Sequence, residues 1–170
     1  MKTADLLRHW RFRAHRVQHG HYQAGRRYDR FHLFLGLPAI VLSAFVGSAV
    51  FASLAAPTHG IPITLLVGFL SVSTAVLSGL QTFLKYSELA DRHKMAGARF
   101  ADIKHQIELI AVFQNNNQVP LESMLQEVEK HWEKVREESP NIPHKIWNDI
   151  KKAMTLEKDI EAHPNFGQAP

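Results

Sequence analysis

Four polar side chains, Ser71, Thr74, Ser78 and Gln81, recur at spacings of three, four and three inside an otherwise apolar stretch, and the line continues into Lys85. At 3.6 residues per turn these intervals put all of them on one face of a helix. In lipid, such a stripe either hydrogen-bonds to neighbouring helices or lines a wet path. The five residues are therefore candidate pore-lining groups, with Lys85 at the mouth. Beside them Ser71, Ala75 and Gly79 make a ridge of small side chains, and Ala44, Ser48, Ala52 and Ala56 make a second. Small residues four apart let membrane helices approach closely. Two ridges offer more close-packing surface than one contact within the chain consumes, so self-association is expected.

Other chemistry is sparse. His15 and His19 lie four apart with His21 nearby, but zinc takes three or four ligands and no Glu sits between the pair as a catalytic base would. They read as part of a solvated basic face. Arg8, Arg11, Arg13 and Arg16 on the same segment could meet anionic headgroups or a nucleotide phosphate, or simply remain hydrated. There is no Gly-rich phosphate loop after a strand, no nucleophile elbow and no carboxylate pair in an evident pocket. With no Cys, disulfide frameworks and thiolate metal sites are excluded. The expectation is a protein that is not an enzyme, without cofactor, metal site or nucleic-acid partner.

The elements that must position the stripe follow from charge. Between Arg30 and Lys85 there is no Asp, Glu, Lys or Arg, and that gap holds two apolar runs, 33–56 and 61–84. Each of about 24 residues spans roughly 36 Å as a helix, enough for a hydrocarbon core of about 30 Å. Only Pro57, Thr58, His59 and Gly60 separate them, which predicts a tight antiparallel hairpin. The first run starts too far from the terminus, and is too long, for a signal peptide. Composition hides this pattern, because 21% charged residues and a net charge of +4 belong to the polar ends. Residues 1–32 carry eight Lys/Arg against Asp5 and Asp29, while residues 85–170 carry twelve against fourteen acidic groups. Arg26, Arg27 and Arg30 flank one end of the hairpin and Lys85, Arg92, Lys94 and Arg99 the other, with no basic residue in the turn. The positive-inside rule then predicts both termini in the cytoplasm.

The flanks are periodic too. Leu7, Trp10, Ala14, Val17, His21, Ala24, Tyr28 and Phe31 form a stripe at alternating spacings of three and four, and Leu89, His93, Ala96, Phe100, Ile103, Ile107 and Ile110 form its counterpart up to Asn115, Asn116 and Asn117. The first stripe is expected to run straight into the first span. With a bend near His59, residues whose numbers add to 117 face each other: Val17 with Phe100, Trp10 with Ile107, and in the spans Leu42 with Ala75 and Ala49 with Gly68. Gly20 and Gly25 fall off the stripe and are expected only to weaken the helix. Behind Pro120, Leu121, Leu125, Val128, Trp132 and Val135 keep heptad spacing; Ser139 to Pro143 stops that helix, and a last one carries Ile146, Trp147, Ile150, Ala153, Met154 and Ile160. The predicted class is all-α: residues 1–115 as a membrane hairpin with helical extensions, 116–163 as a cytoplasmic helical hairpin and 164–170 as a tail.

Arg27-Tyr28-Asp29-Arg30, Gly36-Leu37-Pro38, Val46-Gly47 with Val50-Phe51, and the run from Leu80-Gln81-Thr82-Phe83-Leu84-Lys85-Tyr86-Ser87-Glu88 to His93 and Ala98-Arg99-Phe100 resemble the SLATT family, two-transmembrane effector domains that accompany SMODS nucleotidyltransferases and SLOG proteins in prokaryotic conflict systems. The resemblance covers about residues 5–115. It implies an effector of antiphage defence in the bacterial inner membrane, a homo-oligomer that permeabilises the bilayer on a nucleotide second messenger or a signal from a SMODS- or SLOG-type partner. It supplies no catalytic residues. The other reading of the same residues is a membrane-anchored helical scaffold without a pore, with membrane lipids and protein partners as its only contacts.

Overall fold

The computed structural model describes residues 3–55, 61–113, 120–164 and 166. The expected turn at Pro57 to Gly60, Ala56, the Asn115 to Asn117 break and most of the tail lie outside them. Six helices follow in order: α1 (Thr3–Ala55), α2 (Ile61–Leu84), α3 (Tyr86–Phe113), α4 (Leu121–Glu138), α5 (His144–Ala153) and α6 (Leu156–Ala162). No strand occurs among the described residues, so the chain is all-α. It divides into two compact units, one made of Met1–Arg26 with Ala90–Pro170 and one of Arg27–Leu89.

The first is a helical unit built on the two stripes. Leu7, Ala14, Phe100, Ile103, Ile107 and Ile110 are buried where α1 meets α3, and Val128 and Val135 of α4 close the same core. Phe100 is 2% exposed, with Trp132 edge-on at 5.4 Å and the His21 ring stacked at 5.6 Å. The contacts straddle the expected register: Gly25 lies against Ala90 and Lys94, Tyr22 against Gly97, and His21 between His93 and Phe100. Helices α4 and α5 are each preceded by proline at the cap, Pro120 and Pro143, whose fixed φ suits a helix entry and whose missing N–H is not needed there.

Two sequence expectations fail here. The last helix is not continuous: Met154 is extended, and Thr155 caps α6, its hydroxyl accepting from the Lys158 N–H. A Thr hydroxyl satisfies a helix N-terminus better than it sits inside a helix, so an apolar period that continues to Ile160 does not prevent a break. Nor are Gly20 and Gly25 idle. A Cβ on Gly20 would lie 2.8 Å from Ile142 Cδ1, and one on Gly25 would lie 3.2 Å from the Ala90 carbonyl oxygen and 3.1 Å from Lys94 Cγ. The missing side chains let Ile142 before α5, Ile150 within it, and α3 reach the backbone of α1. Gly25→Leu should therefore destabilise the unit by about 1–3 kcal/mol through overpacking, whereas Gly25→Ala should be near neutral because helix propensity returns about 1 kcal/mol. Urea unfolding of the two variants at neutral pH measures the difference; equal stability would remove the close approach.

The second unit contains the apolar half of α1, with Pro38 inside the helix, α2 and the start of α3. Gly36 against Gln81 and Phe31 against Tyr86, whose rings lie 5.5 Å apart, keep the register of 117. Lys85 has φ of 46°, a left-handed conformation, and the Leu89 N–H donates to its carbonyl at 3.0 Å. Left-handed backbone at a side chain with a Cβ costs about 1–2 kcal/mol. It ends α2 at Leu84 and starts α3 one residue later, so the polar line does not run into Lys85 along one helix as its spacing suggested.

Candidate functional site

Both long helices have a stretch long and apolar enough to cross a membrane, and in α2 no residue of that stretch is buried. Phe34, Phe51, Phe69 and Phe83 are exposed by 76, 75, 71 and 82%. The core helix of a water-soluble protein hides such a face; here it is left open, an apolar surface far beyond the scattered residues a soluble monomer tolerates.

Along α2 the half-buried positions are Val67, Leu70, Ser73, Thr74, Leu77 and Gln81, and along α1 they include Leu35, Leu42, Val46 and Ala49. These make the seam between the spans. Thr74 and Gln81 belong to it: the Thr74 hydroxyl donates to the Leu70 carbonyl at 2.8 Å, and Gln81 covers Gly36, where a Cβ would come 2.9 Å from Gln81 Nε2. Ser71 and Ser78 are exposed. Lys85 is exposed as well, with Glu88 at 3.7 Å. The polar stripe thus runs along the border of the seam, half turned into it and half turned out. Its spacing of three and four is also that of a packing seam, which is why periodicity alone could not separate the two.

The ridge residues Ala44, Ser48, Ala52, Ala75 and Gly79 are all exposed. A Cβ at Gly47, Gly68 or Gly79 would meet nothing within 4 Å. The close contact expected between Ala49 and Gly68 is therefore not made; the tight approach is at Gly36 and Gln81, and the small faces stay open among the described residues. The Ser48 hydroxyl turns back to the Ala44 carbonyl at 2.9 Å, leaving the ridge smooth.

In the helical unit, the basic face of α1 is not simply solvated. Arg8 donates to the carbonyls of Pro164 and Phe166 at 3.0 and 3.2 Å. Arg11, only 3% exposed, donates to Asp159 Oδ2 at 2.6 Å, has Glu108 at 3.6 Å and lies over the Phe166 ring. Arg13 and Arg16 instead stack on Trp132 and Trp147, in a cleft of 430 Å³ that Arg136 also lines. The sequence names the arginines of α1 but not the tryptophans brought to them by α4 and α5. Deeper in, His21 and His93 share a hydrogen bond, Nδ1 to Nδ1 at 3.0 Å, both nearly fully buried. Burial, and then the neighbouring His93, push the His21 pKa down to about 4; burial lowers that of His93 as well. His15 and His19 meet edge-on at 6.5 Å, and burial lowers the His15 pKa. Among the described residues no three His, Cys, Asp or Glu side chains converge as metal ligands would.

Compared with family models, curated proteins and solved structures, the chain matches none.

Proposed function

We propose that this chain is a two-span effector of the bacterial inner membrane that assembles through its small-residue ridges and permeabilises the bilayer. The carrying observation is the unburied apolar stretch of α2, whose surface requires lipid or further helices around it. The ridge of Ala44, Ser48 and Ala52 and that of Ala75 and Gly79 remain free once the seam between the spans is filled, which supports assembly of several copies. Ser71 and Ser78, exposed at the border of that seam, then face neighbouring copies or water, and Lys85 stands at the cytoplasmic mouth. Basic residues at both outer ends support cytoplasmic termini. The resemblance to SLATT effectors agrees with this reading and adds the setting of antiphage defence, in which a nucleotide or a partner sensor triggers the response.

Overexpression in bacteria should arrest growth and admit a membrane-impermeant dye, and the detergent-extracted protein should have the mass of an oligomer. Gly79→Leu inserts a large side chain on an open ridge without touching the seam. It should reduce the oligomer to monomer and abolish dye entry while expression persists. An oligomer without dye entry, unaffected by Ser78→Leu or Lys85→Glu, would favour the scaffold reading.

A further inference from the structure

The 430 Å³ cleft of the helical unit combines three cations with stacked rings and no acid. Arg13, Arg16 and Arg136 line it with Trp132 and Trp147, and the buried rings of His21 and Phe100 border it. Its volume falls in the range of small-molecule sites, about 300–1,000 Å³.

Two of the arginines are held but not spent. Arg13 Cζ lies 5.4 Å from the Trp132 ring centre; Arg16 Cζ lies 5.1 Å from that of Trp147 and 5.3 Å from that of Phe12. Cation–π contact fixes a guanidinium while using none of its five N–H donors. Arg8, Arg11 and Arg99 have carbonyl or carboxylate partners. Among the described residues Arg13, Arg16 and Arg136 pair with no carboxylate, and Arg16 Nε is buried without an acceptor. Glu129 and Glu133 line an adjoining cleft of 170 Å³, which Arg13, Arg136 and Trp132 also border, at distances too great for an ion pair with either arginine.

Three guanidinium groups lining one cavity, two of them fixed on aromatic rings, call for an oxyanion, and phosphate matches fork geometry in a bidentate manner. A bare phosphate leaves the tryptophan faces and guanidinium planes uncovered, and those are the surfaces on which a heterocycle stacks. We propose that this cleft binds a phosphorylated ligand with a planar ring, of the nucleotide class. The assignment concerns the helical unit and is read by binding alone, so it stands or falls separately from permeabilisation by the spans.

The test uses the full chain in detergent, titrated with AMP, GMP, CMP and UMP, and with adenosine, inorganic phosphate and glycerol 3-phosphate as controls. Tryptophan fluorescence and calorimetry report binding. At least one nucleotide should quench fluorescence saturably and bind at least about tenfold more tightly than every control, a gap of roughly 1.4 kcal/mol. Arg136→Gln and Arg13→Gln, both at exposed positions, should each weaken it by about tenfold with unchanged circular dichroism. Equal binding of inorganic phosphate or glycerol 3-phosphate would overturn the proposal in favour of a simple anion or lipid-headgroup site. Equal binding of adenosine would reduce the cleft to an apolar surface. Absence of saturable binding by all four nucleotides, or full retention in both variants, overturns it outright.

Discussion

Asp159→Ala should destabilise the helical unit by about 3–5 kcal/mol, the cost of leaving one member of a buried ion pair behind. Asp159 is the short partner of Arg11, at 2.6 Å, and both side chains are almost wholly shielded from water. Glu108, at 3.6 Å and one-third exposed, cannot replace it. Arg11 Nε already has no acceptor, so the guanidinium has little to fall back on. Helix α6 has only seven residues and shields little beyond the Asp159 side chain, which makes the ion pair its main attachment, together with the hold of Arg8 on the backbone beyond it. The loss should appear as a lower urea midpoint and as early proteolytic cutting within 156–162. An Arg11→Met, Asp159→Ala double variant should recover most of the stability, because removing both charges leaves no ion stranded. Equal loss in single and double variants would mean that packing, and not the charge, holds α6.

Acid should loosen the same unit over a defined window. An unfolded histidine takes up its proton near pH 6.5, whereas folded His21 does so near 4. Between these values the unfolded chain binds more protons, so stability is complete above pH 6.5, falls as pH drops, and levels off below about 4. A gap of about 2.5 units corresponds to roughly 3 kcal/mol, and the lowered His93 adds in the same direction. The bond between the two Nδ1 atoms needs one donating and one accepting nitrogen, so at least one ring must stay neutral and protonation of both breaks it. Replacing both with Leu should flatten the profile between pH 6.5 and 4.5 relative to the parent, since no polar atom is then left unpaired. His93→Leu alone should cost about 1–3 kcal/mol at pH 7 by stranding His21. Parallel pH profiles for parent and double variant would assign the acid sensitivity to the carboxylates instead.

What depends on local pattern is legible in the order of residues alone. The charge-free interval from Arg30 to Lys85 marks two helices of spanning length, because lipid excludes charge and a helix has a fixed rise. The two stripes and one turn position set the pairing register, because a heptad seam admits few alignments; Gly36 with Gln81 and Phe31 with Tyr86 follow it. Tertiary structure decided everything that depends on two distant segments meeting. Gly20 and Gly25 are contact points only because α5 and α3 reach the backbone of α1 there. His21 and His93, seventy-two positions apart, become a buried pair only when their helices pack. Thr74 and Ser78 have equal claims on one polar face until the seam draws the first inward and leaves the second out. Arg16 resembles any arginine of a basic helix until Trp147 arrives from α5 and Trp132 from α4 to complete the cleft. Periodicity reports which face of a helix is apolar, but not which partner covers it, and a binding site is made by the partner.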